Sequence, residues 1–153
     1  MERLIIAHVE IVMLLGEYKH SVSSAGRFEL PQHILADLDG GLVIARGFDH
    51  NLVLFPAAEW SKLAQALIGK PITDPGVRAL RRRLFSAAEL VAPDEKGSIT
   101  LPQALRSFAG INGEIVLSGM YNHIELWSAE QWLPVRESVE AEDLDDRWRG
   151  IGI

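Results

Sequence analysis

The sequence predicts a β-rich α+β protein in which two similar halves share one core. The first observation is a repeat. The stretch from His20 to Leu38 recurs between Leu90 and Gly110, and Gly26, Leu30, Pro31 and Gln32 meet Gly97, Leu101, Pro102 and Gln103 at an offset of 71. After one inserted residue the match resumes at an offset of 72, aligning Gly47 with Gly119, Leu54 with Leu126, Phe55 with Trp127, Ala57 with Ala129 and Trp60 with Trp132. Ordered recurrence of residues as rare as Trp and Pro marks a duplicated half-domain, and a period near 70 is too long for a solenoid. The second observation is local: short alternating or apolar runs are bounded by Gly, Asn and Pro, the pattern of short strands. The third is composition: 153 residues, 48% hydrophobic and 24% charged, suit one globular domain and exclude a disordered chain, a collagen-like chain or a coiled-coil rod.

Residues 1–14 read as an N-terminal extension. Met1 to Leu15 is apolar-rich, but His8 and Glu10 interrupt it, and the longest apolar run, Ile11 to Leu15, is far too short to span a bilayer. Glu2 cancels Arg3 and no cleavage pattern follows, so a signal peptide is not expected. The extension is expected to be an extra strand or short helix, or an upstream addition to a true start at Met13.

The first half-domain is assigned to residues 15–68. Gly26 supplies a turn where the absent Cβ permits positive φ. Arg27–Leu30 alternates as a strand, and Pro31 ends it and suits the first turn of a short helix over Gln32–Asp37. Gly40-Gly41 is a turn. Strands over Leu42–Arg46 and Leu52–Phe55 are joined through Gly47–Asn51, and a helix over Ala57–Ile68 is closed by Gly69. Residues 69–88 form a linker. In it Asp74 is a good N-cap and Pro75 a good first-turn residue, and Val77, Leu80, Leu84 and Phe85 share one helical face. Arg78, Arg81, Arg82 and Arg83 cover the other sides, either as a solvated face or as a surface for acids of a neighbouring subunit or for phosphates.

The second half-domain, residues 89–136, repeats the plan. Gly97 makes the turn, Ser98–Leu101 the strand, Pro102 its end, Gln103–Ala109 the helix and Gly110 its cap. Asn112-Gly113 is a turn, strands run over Glu114–Ser118 and His123–Trp127, and a helix starts near Ser128 with Gln131 completing a capping box. Residues 137–153 form an acidic tail.

Charge and motifs narrow the function. The net charge is −6, of which the tail contributes −4: Glu137, Glu140, Glu142, Asp143, Asp145 and Asp146 against Arg147 and Arg149. The remaining −2 means that any phosphate contact must come from local basic loops. Cysteine is absent, which excludes disulfides, thiolate metal sites and Cys nucleophiles and fits a reducing cytoplasm. No phosphate loop, dinucleotide loop or nucleophile elbow occurs, and the five histidines show no i, i+4 pairing, so no enzyme, cofactor, metal or small-molecule substrate is expected. Trp60, Trp127 and Trp132 at matched positions are expected in the core or a subunit interface.

These residues resemble one family closely. Gly16-Glu17-Tyr18, Gly26-Arg27, Leu30-Pro31, the linker run from Arg81 to Glu89, then Asp94, Gly97, Leu101-Pro102 and the run from Gly119 to Trp127 are similar to the MraZ family of bacterial regulators, over about Leu15 to Val139. The resemblance implies two tandem AbrB-like swapped-hairpin half-domains, paired as an internal pseudo-dimer around a β-barrel-like core with short flanking helices. It further implies a cytoplasmic, nucleoid-associated protein with no membrane partner. Such a protein would assemble into rings on direct repeats of double-stranded promoter DNA in the division and cell-wall gene cluster, usually as a repressor.

The family hallmark is an Asp-x-x-Gly-Arg turn in each copy, with the arginines facing DNA. Here the first turn reads Ser23-Ser24-Ala25-Gly26-Arg27 and the second Asp94-Glu95-Lys96-Gly97-Ser98. Each copy keeps one member of the Asp/Arg pair, and if the two brace each other across the copies, Asp94 can pair with Arg27. Expected DNA contacts are Arg27 and Lys96, with Lys19 nearby; Ser23, Gly26, Asp94, Gly97 and Ser98 support the turns. Ser98 and Ser23, with the acidic balance, leave open an alternative: a ring scaffold acting through protein contacts.

Overall fold

A computed structural model describes residues 2–6, 9–38, 40–141 and 150–152, with side chains for 13–38, 40–140 and 150–152. The acidic tail beyond Ala141 up to Arg149 lies outside the described residues. The chain runs β1 (Glu2–Ile6), β2 (Val9–Met13), β3 (Glu17–Ser21), β4 (Arg27–Glu29), α1 (Gln32–Leu35), β5 (Leu42–Arg46), β6 (Leu52–Pro56) and α2 (Ala57–Ile68). After it come α3 (Pro75–Phe85), β7 (Glu89–Val91), β8 (Ser98–Thr100), α4 (Gln103–Ala109), β9 (Glu114–Gly119), β10 (Ile124–Ser128) and α5 (Ala129–Ala141). The extension is thus a hairpin, β1 against β2. Helix α5 continues through the first residues assigned to the tail.

Local chemistry explains most boundaries. Asp74 accepts a hydrogen bond from the Gly76 N–H at 2.8 Å ahead of Pro75, and Ser128 Oγ accepts one from the Gln131 N–H at 3.2 Å. Gly110 closes α4 in the left-handed region at φ 64°, where a side chain would be strained.

The main sheet has six strands in the order β3-β9-β10-β6-β5-β7, every neighbouring pair antiparallel. Its outer strands cross between halves: β3 of the first copy pairs with β9 of the second, and β7 of the second with β5 of the first. A separate ribbon joins β4 to β8, with Phe28 opposite Ile99. At the sheet centre Val53 lies opposite Glu125. In both places equivalent residues of the two copies face one another, which is what a pseudo-twofold axis requires.

Alternation sorts the side chains. Leu42, Ile44, Leu52, Leu54, Ile115, Leu117, Ile124 and Leu126 join Phe28, Leu30, Ile34, Ile99, Leu101 and Leu105 in the main core. Ala45, Val53 and Phe55 point the other way, against Trp60 and Leu63 of α2. The matched tryptophans repeat this packing: Phe55–Trp60 centroids are 5.6 Å apart and Trp127–Trp132 centroids 5.7 Å. The expected barrel-like core is corrected: the sheet does not close, and β3 and β7 are its edges. The physical reason is that the β4–β8 ribbon and helices α1 and α4 cover one face with apolar side chains, so burial is completed by packing rather than by a sixth ladder between β3 and β7.

Candidate nucleic-acid interface

The β4–β8 ribbon presents two exposed turns side by side. In each, the backbone closes in the same way. The Ser23 N–H donates to Arg27 O at 2.9 Å and the Gly26 N–H to Ser23 O at 2.9 Å; the Asp94 N–H donates to Ser98 O at 3.0 Å and the Gly97 N–H to Asp94 O at 2.9 Å. The turns are then stitched reciprocally across the copies, Leu30 N–H to Gly97 O at 2.9 Å and Leu101 N–H to Gly26 O at 2.8 Å. Both glycines are at positive φ, 86° and 81°. A Cβ on Gly26 would lie 2.8 Å from Leu101 O, and one on Gly97 2.5 Å from the Leu35 side chain. Glycine is therefore demanded by conformation at both turns and, at Gly26, also by a backbone oxygen in the way of a Cβ.

Side chains break the symmetry. Arg27 Nη2 donates to Asp94 Oδ2 at 2.9 Å, with the two side chains 54% and 45% exposed. Asp94 Oδ1 accepts from the Ser98 N–H at 2.8 Å and the Lys96 N–H at 2.9 Å. The Ser98 N–H, then the Lys96 N–H and the Arg27 charge, hold the Asp94 carboxyl below the usual carboxylate range against an opposing desolvation. In the first turn Ser23 Oγ takes over one of these roles, accepting from the Arg27 N–H at 3.1 Å.

The ion pair joins the two copies. The pseudo-twofold that maps Arg27 onto Ser98 also maps Asp94 onto Ser23. One cross-copy ion pair is present at these positions, and serine stands at both pseudo-equivalent positions.

Lys96 is exposed on the second turn between Glu95 and Gly97. Lys19 is not part of this cluster. It lies on β3 opposite Val116 and lines a groove of about 520 Å³ with Glu17, Trp132 and Arg136, against α5. Sequence spacing could not place it, because one residue of strand register decides which sheet face it takes. Sequence reasoning missed Arg106. From α4 its Nε donates to Leu101 O at 3.1 Å and its Nη1 to Ser24 O at 3.3 Å, directly behind the first turn. Its pseudo-equivalent is Leu35, so the repeat itself, read for differences, was the available signal.

The linker arginines are partly absorbed into the fold. Arg78 donates to Ile72 O and Thr73 O, both at 3.0 Å. Arg83 sits over the Phe108 ring at 5.1 Å, beside Arg46, which donates to Arg82 O at 2.9 Å. Among the described residues no group of acids and histidines is placed to hold a metal ion, and no helix is long and apolar enough to cross a membrane.

The profile of the family described as "MraZ protein, putative antitoxin-like" matches the chain twice, over residues 13–83 and 84–148. The chain belongs to the MraZ family. The MraZ profile matches once over each copy of the repeat, and the two matches meet between Arg83 and Leu84, within α3. Similar proteins named "Transcriptional regulator MraZ" include that of Herpetosiphon aurantiacus, 43% identical over 143 residues, covering 92% of this chain and 100% of that protein. Those of Halothermothrix orenii and Roseiflexus castenholzii are 40% and 39% identical, each covering 84% of this chain and 90% of the relative. Membership in MraZ thus spans both turns, the linker and the six-stranded sheet.

Proposed function

We propose that this chain is a DNA-binding transcriptional regulator: a cytoplasmic, nucleoid-associated repressor of the division and cell-wall gene cluster that engages direct repeats in promoter DNA as a ring of subunits. The observation that carries the reading is Arg27, an exposed guanidinium held on a rigid glycine turn by Asp94 at 2.9 Å. Arginine offers a planar fork suited to phosphate or to a guanine edge. A side chain already oriented by a neighbour loses less freedom on binding. One such group per subunit is weak alone, but subunits joined in one assembly engage adjacent repeats at a high effective concentration. The net charge of −6 is compatible because four of those charges sit at the acidic C-terminal end, away in sequence from both turns.

The test is a titration of the purified protein against DNA from upstream of its own gene, at low and moderate salt, with a scrambled duplex as competitor. Specific binding that weakens steeply with salt is expected. Arg27→Ala is expected to keep the oligomer and lose most of its specific binding, with a salt slope, read at low salt, shallower by about one per subunit engaged. Unchanged affinity in that variant excludes Arg27 as a contact. Absence of any specific binding by a folded oligomer favours the second reading, a scaffold that acts through protein contacts, for which serine at both pseudo-equivalent positions, Ser23 and Ser98, is the supporting observation.

A further inference from the structure

The two turns are alike in backbone and unlike in what stands behind them. Behind Gly97 is Leu35; behind Gly26 is the guanidinium of Arg106, so close that a Cβ on Gly26 would lie 2.7 Å from Arg106 Nε. Arg106 comes from the second copy and bonds Ser24 O in the first and Leu101 O in the second. Leu101 in turn donates its N–H to Gly26 O. The first turn is therefore tied to the second copy at both ends of its span, by Arg106 at Ser24 and by Asp94 at Arg27. The second turn carries Asp94 and Glu95 beside Lys96, whereas the first carries Arg27 and gains the charge of Arg106. With Arg27 and Asp94 paired, the charge that distinguishes the two turns is the Arg106 guanidinium behind the first.

We propose that Arg106 is the positioning residue for the DNA-contacting turn: it holds the Ser23–Arg27 loop so that the Arg27 fork faces the duplex, and it makes the first turn, not the second, the one that engages phosphate. This rests on the DNA-binding reading above. Arg106 acts through Arg27. A guanidinium with two carbonyl acceptors on two different segments fixes their separation; a leucine fills the same space and fixes nothing.

Arg106→Leu is the informative variant because it copies the arrangement already present behind Gly97. It is expected to melt as a folded oligomer and to bind the specific duplex about tenfold more weakly, the scale of losing hydrogen bonds from a charged group. The decisive readout is a double-variant cycle at a salt concentration where Arg27→Ala still binds measurably. If Arg106 acts through Arg27, adding Arg106→Leu to Arg27→Ala costs no further affinity. Hydrogen exchange in the free protein is a second readout independent of DNA. Arg106→Leu is expected to speed exchange at Gly26 and Arg27 and leave Gly97 and Ser98 unchanged.

Wild-type affinity in Arg106→Leu, an equal further loss in the Arg27→Ala background, or unchanged exchange at Gly26 each overturns the proposal. A wild-type protein that binds no specific DNA overturns instead the reading on which it rests, and the exchange experiment still reports whether Arg106 orders the turn.

Discussion

Asp94 is the best-connected side chain of the two turns, and its carboxylate form is what the fold selects. Its folded pKa is lowered, first by the Ser98 N–H and then by Lys96 and Arg27. A carboxyl whose folded pKa lies below its unfolded one stabilises the protein above the unfolded value, and that contribution is lost as pH falls through the folded one. Stability is thus expected to decline with acidification below the ordinary aspartate range, and Asp94→Asn is expected to flatten that part of the profile. Denaturant midpoints of the two proteins between neutral pH and strong acid check it. A parallel decline in both assigns the acid sensitivity to other carboxylates. An exposed ion pair of this kind contributes little to global stability, so the value of the Arg27–Asp94 contact is positional.

At the scale of elements, the ribbon turn at Gly26 and the α4–β9 turn at Gly113 both need positive φ, but only the first also lacks room for a side chain. Gly26 combines positive φ with a backbone oxygen 2.8 Å from where a Cβ would stand, while Gly113 has φ 107° and nothing within 4 Å. Gly113→Ala meets only the conformational cost, about 1–2 kcal/mol. Gly26→Ala adds an overpacking cost of about 1–3 kcal/mol, because Leu101 O belongs to a backbone stitched to Gly26 itself. The ordering Gly26→Ala below Gly113→Ala below wild type in urea midpoint is the expected result; equal midpoints mean that the ribbon relaxes at no cost. The edges of the short elements were the least legible part of the sequence. Strands β4 and β8 each stop one residue before the run of alternation ends, because Leu30 and Leu101 bond the opposite glycine turn rather than continuing a ladder.

For the whole molecule, the crossing of β3 and β7 between copies sets the stability of each half. Neither half contains a complete sheet: the first lacks β9 beside β3, and the second lacks β5 beside β7. The main core also draws on both copies, with Phe28 and Ile34 beside Ile99 and Leu105. Cutting the exposed linker at an inserted protease site between Gly69 and Asp74 is therefore expected to leave two fragments that remain folded together and co-elute under native conditions. The first fragment alone is expected to be unfolded or self-associated. Separation of two folded fragments on gel filtration contradicts the cross-copy pairing.

The duplication, the turn glycines, the helix caps and the resemblance to MraZ were legible in the residues alone. These are signals written in neighbouring residues or in their recurrence, and they survive without knowledge of contacts. Arg27 and Asp94 were legible as candidates for the same reason. Tertiary structure alone decided that they meet each other across the copies and that the sheet stays open. It also decided that Lys19 faces α5 and that Arg106 stands behind Gly26. Each depends on strand register or on packing between segments far apart in the chain. Hydrogen-bond ladders and core volume select those arrangements, and no local pattern encodes them.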